Sequence, residues 1–198
     1  MRTTMWVVLL AASLTTACAP RAFTRGQYGD PAEISMLGDD WNQNDMQLTA
    51  RDIVSSLETW VTQNPSAEKP VVVLETFKNR TTEHLDTQAL YDHIKTALIH
   101  SGKFTFLDKA ARREIAEESQ YQNESGYVDP NQAVATGKQM GAQFLLGGVI
   151  TSTVQQVGPD KVAYYKTTFE LTNLESTEIV WTDHKEIAKH FKKKSVGF

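Results

Sequence analysis

Three arrangements in this chain have the residue types of a catalytic or ligating site. Ser66 and Lys69 form an S-x-x-K string, the spacing at which a lysine activates a serine nucleophile in penicillin-recognising enzymes. That chemistry needs the pair at a helix start with S-D-N and K-T-G partners. Here the pair sits in a loop between Pro65 and a strand beginning at Val71, and neither partner string follows. His93 and His100 lie seven apart on one helix and can share a face, with His84 just ahead of them. A metal would need convergent further ligands, and Asp92, next to His93, is turned about a third of the way round the helix. These three read as solvated side chains, and His184 and His190 as isolated ones. Gly137 and Lys138 match only the end of a phosphate loop: the earlier glycine is missing and Gln139 replaces the magnesium-binding hydroxyl. No nucleophile, base and orienting group fall together. The expectation is binding without catalysis, with no metal, no cofactor and no small-molecule substrate.

Two polar segments are candidates for binding. The loop 78–86 carries Asn79, Arg80, Thr81, Glu83 and His84 directly after an apolar strand, and Arg80 has the fork to hold a partner carboxylate by two hydrogen bonds. Asn79 and Thr81 equally suit a loop that only satisfies its own backbone. Near the C-terminus Lys189, Lys192, Lys193 and Lys194 form a cationic run. It has the charge to meet anionic lipid heads or acidic groups of a glycan, although such runs are usually solvated tails.

Cys18 is the chain's single cysteine. Ahead of it stand Met1, the cation Arg2, an apolar stretch over 5–14, and the small residues Thr15, Thr16 and Ala17, the three zones of a secretory signal. The stretch is shorter than the roughly 20 residues that span a bilayer. A cysteine at the cut resembles the lipobox of bacterial lipoproteins, with Thr15 where leucine is usual and Leu14 one place further back. By that resemblance the thiol takes a diacylglyceryl group, and Ala19 in place of aspartate directs the product to the outer membrane. Two or three acyl chains anchor permanently, whereas one anchors only marginally. An ordinary signal peptide is the alternative, but it leaves an unpaired thiol in an oxidising compartment.

Without residues 1–17 the chain keeps 19 cationic and 24 anionic side chains, a formal charge of -5, which argues against a general nucleic-acid binder. No apolar run after Cys18 approaches bilayer length. No disulfide framework is available, so stability must come from a packed core. Residues 18–48, rich in glycine, proline, aspartate and asparagine, read as a tether, with Met36, Leu37, Trp41 and Met46 able to pack on something.

The globular part is expected over 49–198. Thr49 followed by Asp52 opens a helix with Ile53, Val54, Leu57, Trp60 and Val61 on one stripe, stopped by Asn64 and Pro65. Residues 71–74 read as a strand buried on both faces. A helix capped by Asp86 or Thr87, with Leu90, Ile94, Ala97 and Leu98 at helical spacing, and ended by Gly102, leads to a strand at 103–107. A charged helix from Asp108 to about Tyr121 turns Ile115 and Ala116 inward. A short helix runs from Asp129 and Pro130 to Gly141, and a second apolar strand over 144–150 has Gly147 and Gly148 marking a bulge or a close backbone approach. Alternation over 162–174 and 178–188 reads as a terminal hairpin. This is a mixed α/β fold: a small mixed β-sheet flanked by helices and ending in a C-terminal hairpin.

The strings VVVLETFKNRT from Val71, ALIHSGKFTFLD from Ala97, GKQMGAQFLLGGVI from Gly137 and IVW from Ile179, in this order behind a lipoprotein leader, resemble the LpoB family over roughly 70–189. The resemblance implies a fold close to the N-terminal domain of TolB. It also implies an outer-membrane lipoprotein that binds a bifunctional class A penicillin-binding protein and raises its synthesis of peptidoglycan. Family members that cross the cell-wall mesh carry a long proline-rich tether, whereas here about thirty residues reach roughly 100 Å when taut. Two rivals remain: a CsgG-like secretion or assembly lipoprotein, which would need extra membrane-spanning hairpins, and an envelope hydrolase, which would need a catalytic set.

Overall fold

The computed structural model describes residues 30, 38–66, 68–135 and 137–192, and the fold lies within the compact unit Ile34–Phe198. Helix α1 (Gln43–Gln63) starts where the Asn42 side chain accepts from the N–H groups of Asn44 and Asp45, while the Asp45 carboxylate accepts from the N–H of Asn42. This reciprocal box satisfies donors that no helical carbonyl reaches. The expected start at Thr49 is therefore corrected to Gln43, and 43–48, read as the end of the tether, is helix. Asn42 and Asp45 have the same spacing as Thr49 and Asp52. The earlier box wins because Trp41 and Met46 pack on the core and Thr49 is itself buried.

Strand β1 (Val71–Leu74) is buried at every position, as its uninterrupted apolar run predicts. The chain breaks at Glu75 and resumes as β2 (Lys78–Arg80), so the first three residues of the expected loop are strand. Helix α2 (Thr87–Ser101) is capped by the Asp86 side chain and ended by Gly102 at φ +66°. After it comes β3 (Thr105–Leu107). Strand β4 (Phe144–Val157) outruns its expected end at Ile150, because 151–157 is uncharged and rich in Thr and Val. Gly158, at φ +58°, then allows a two-residue turn into β5 (Asp160–Asn173), and β6 (Ile179–Lys192) follows.

The strand order is β3-β1-β4-β5-β6, with β2 also beside β4. The first contacts, β1 with β3 and with β4 and β2 with β4, are parallel, and β4-β5-β6 is an antiparallel meander. One face of this mixed sheet carries α1 and α2. Ala50, Ile53, Val54 and Leu57 of α1 and Leu90, Ile94 and Leu98 of α2 close on Val72, Leu74, Leu146, Ile150, Phe169 and Leu171. Burying each large side chain contributes about 1.5–3 kcal/mol. Gly148 is the expected close approach: a Cβ there would lie 2.8 Å from Phe169 Cδ1.

Helix α3 (Arg112–Glu124) buries no residue. The inward placement expected for Ile115 and Ala116 is corrected, since Ile115 is 48% exposed; with Tyr121 these are too few apolar residues to form a stripe. The helix expected from Asp129 to Gly141 is a single turn, in which the Asp129 carbonyl accepts from Gln132 and Ala133. Beyond it the Val134 backbone is held by the side chains of Gln122 and Asn123, which stops a helical ladder from forming.

Candidate functional site

The five polar residues singled out after β1 come together but divide by role. Asn79 Nδ2 donates to the Glu83 carbonyl at 2.8 Å, and its Oδ1 accepts from the Thr81 N–H at 2.9 Å and hydroxyl at 2.8 Å. The Thr81 hydroxyl also accepts from the Glu83 N–H at 3.1 Å. These two residues shape the loop. Glu83 is half-buried: one carboxylate oxygen accepts from the Trp41 N–H at 3.0 Å and the other from the Tyr165 hydroxyl in a short bond. Arg80 and His84 are exposed, and the side chain of neither has a hydrogen bond or ion pair among the described residues.

Arg80 extends from the sheet face opposite α1 and α2. With Lys78, Glu75 and Glu170 it lines a cleft of about 240 Å³ floored by Gly147 and Gly148. Lys78 lies 3.7 Å from Glu75, and a Cβ at Gly147 would come within 3.1 Å of the Glu75 carboxylate. Gly147 thus leaves the cleft its space, whereas Gly148 makes room for Phe169 on the other face, and the cleft carries charges of both signs. Ser66 opens on a separate cleft whose described lining includes no lysine or histidine, while Lys69, His93 and His100 are exposed. Among the described residues no three of His, Cys, Asp and Glu gather as metal ligands, and no helix is long and apolar enough to cross a membrane.

On the helix-covered face lies a network that the sequence reading missed. Lys189, taken there as part of a solvated tail, is 2% exposed. Its Nζ lies 2.5 Å from Asp45, donates to the Asp40 carbonyl at 2.6 Å and sits 5.8 Å from the Tyr165 ring centroid. Lys192 is exposed, 3.9 Å from Asp160; Lys193, Lys194 and Cys18 with its leader lie outside the described residues. Asp39 pairs with Lys161, the Asp39 carbonyl lies 3.1 Å from the Tyr165 hydroxyl, and the Trp41 ring meets Tyr165 edge-on at 5.5 Å. Residues 39–41 are thereby stitched across β5, β6 and the loop after β2. Burial, reinforced by the Glu83 carboxylate, raises the Tyr165 hydroxyl well above the usual phenol range. A signal for this network existed: Asp45 and Asp52 lie seven apart on one helix face, and Lys185 and Lys189 lie on the inward face of β6, where they bind Asp52 and Asp45.

Lysine hydrogen bonds hold the Asp39 and Asp52 carboxylates below the usual range, through Lys161 and Lys185 respectively. A lowered carboxylate stabilises the fold above its unfolded value, near pH 4, and that contribution is lost as pH falls through the folded value. Unfolding followed by circular dichroism should therefore show stability declining below about pH 4, and Asp52→Asn should make that decline shallower.

The family described as peptidoglycan-synthase activator LpoB matches residues 45–187. The chain belongs to the LpoB family. The LpoB match runs from Asp45 in α1 to Ile187 in β6, so it takes in β1 to β5, most of β6 and the Arg80 loop. The chain is similar in structure to the LpoB C-terminal domain from Escherichia coli, at 16% identity over 73% of this chain and 99% of that one, with a TM-score of 0.47. It is also similar to the LpoB C-terminal domain from Salmonella enterica, at 17% identity over 72% and 98%, with a TM-score of 0.44. No curated protein matches the sequence.

Proposed function

We propose that this chain is an outer-membrane lipoprotein, anchored through lipidated Cys18 and facing the periplasm, that binds a class A penicillin-binding protein and stimulates peptidoglycan synthesis. The observation that carries this reading is the match to an activator family over 45–187. The leader before Cys18 and the unpaired Arg80 beside an open polar cleft support it. Activation needs only that the lipoprotein bind the synthase's active conformation more tightly than its resting one. No group of this chain performs chemistry in that scheme, and no cofactor enters it.

Arg80 is the contact on which the docking reading is most exposed to test. Arg80→Glu should weaken binding of the synthase about tenfold or more, or at least 1.4 kcal/mol, because reversing a charge at a contact sets it against its former partner. The melting temperature should stay unchanged, since the side chain bonds none of the described residues. Calorimetric titration together with a thermal melt checks both halves, and an unaltered affinity removes the loop from the docking surface. Crosslinking in the envelope followed by mass spectrometry tests the partner itself: recovery of a class A synthase supports the reading, and recovery of pore or fibre components alone opposes it.

A further inference from the structure

We infer that the free edge of β4 over residues 153–157 receives an extended strand of the synthase, added to the sheet in the line that β2 begins. The inference rests on the docking function proposed above. Strand β4 pairs with β5 along its whole length, but on its other side β2 stops at Arg80 opposite Thr151. In that parallel register the Arg80 carbonyl still accepts from the Ser152 N–H; beyond it, among the described residues, no strand pairs with 153–157 from that side.

The direction of the amides follows from the ladder. The Glu75 N–H donates to the Leu146 carbonyl at 2.9 Å, so Leu146 turns its backbone polar groups toward β1, and these alternate along a strand. Val154 and Gln156 therefore offer their N–H and C=O groups to the free edge, and Ser152 its C=O, while Thr153, Gln155 and Val157 bond β5. The two-residue turn after Val157 requires the same assignment, because it bonds Val157 to Asp160.

Edge strands are normally guarded by charges, especially inward-pointing ones, by proline or by brevity. The other long edge, β6, has Lys185 and Lys189 pointing inward, and β3 has only 3 residues. The run 147–157 contains no charged residue and no proline, and Val154 is 46% exposed. Such an unguarded edge is the template for strand addition.

Charge selects the occupant. A strand continuing the line of β2 ends against Arg80, whose guanidinium has no partner among the described residues. The matching donor is a run of about five uncharged residues, long enough to cover the edge at about 3.3 Å each, with a carboxylate at the end nearest Thr151. A second copy of this chain fits less well. Its β4 is uncharged, but the acid just beyond, Asp160, is already 3.9 Å from Lys192, and both copies carry net negative charge.

Amide hydrogen exchange on the full chain in detergent, with and without a purified class A synthase, tests this directly. Exchange at Val154 and Gln156 should slow at least tenfold only when the synthase is present. Thr153, Gln155 and Val157 should be protected in both samples. Val154→Pro, which removes a free-edge donor and spares the β5 bonds, should weaken binding at least tenfold, and Val154→Lys, which keeps the backbone donor but guards the edge, should weaken it also. Binding without slowed exchange at these two amides overturns the edge while leaving the docking function standing. Slowed exchange without synthase, accompanied by a dimer in sedimentation, assigns the edge to a second copy and overturns the inference. Failure of the synthase to bind at all overturns both.

Discussion

Lys189→Met should cost about 3–5 kcal/mol of folding stability, the penalty for leaving a buried charge without its counter-ion. Lys189 and Asp45 are both almost wholly removed from water, so Asp45 would keep only its bond from the Asn42 N–H. For a domain of this size each kcal/mol lowers the melting temperature by roughly 2–4 °C, which puts the loss at about 6–20 °C. Adding Asp45→Leu removes the stranded carboxylate. The double variant should recover most of the loss, because a buried pair replaced by apolar residues is often nearly neutral; the remaining deficit measures the reciprocal cap. Urea unfolding of the two single variants and the double one checks this. A Lys189→Met protein as stable as the parent would mean that Lys189 is not buried against Asp45.

Phe169→Ala should cost about 3–5 kcal/mol, the range for removing a buried aromatic ring from a packed core. Phe169 is fully buried, meets Phe77 edge-on at 5.2 Å and occupies the space a side chain at Gly148 would need. Gly148→Val alone should cost about 1–3 kcal/mol by overpacking. The two changes share one volume, so together they should cost less than their sum, and a double-mutant cycle should give a favourable coupling of about 0.5–3 kcal/mol. Simple additivity would contradict the close approach of β4 to the Phe169 ring.

The apolar runs carried the fold into the sequence. The four buried positions of β1 and the stripes of α1 and α2 are visible as periodicity, because burial on one or both faces dictates those residue types. The Gly102 cap is legible for a different reason: a left-handed residue favours glycine. The start of α1 was missed because two capping boxes lie seven residues apart, and only tertiary burial of Trp41 and Met46 chooses between them. Ile115 misled because a lone isoleucine in a charged helix looks like a core anchor when nothing in the sequence reveals that the helix buries none of its residues. At the candidate site, the loop itself was legible from its composition, but the division of labour within it was not. Glu83 resembles a docking acid in the sequence and turns out to hold Tyr165 and Trp41, residues 82 and 42 positions away. Lys189 was hidden by its neighbours, since a cationic run disguises the one lysine whose alternation on β6 turns it inward.

The central claim is that a docked, non-catalytic domain raises the output of a class A synthase. The direct measurement is the rate of glycan polymerisation by that purified synthase, from lipid-linked precursor, with and without the purified chain. The account predicts a faster rate with the parent chain, a much smaller gain with Arg80→Glu at the same concentration, and no polymer from the chain alone. An unchanged rate at a concentration where the two proteins demonstrably bind would contradict it.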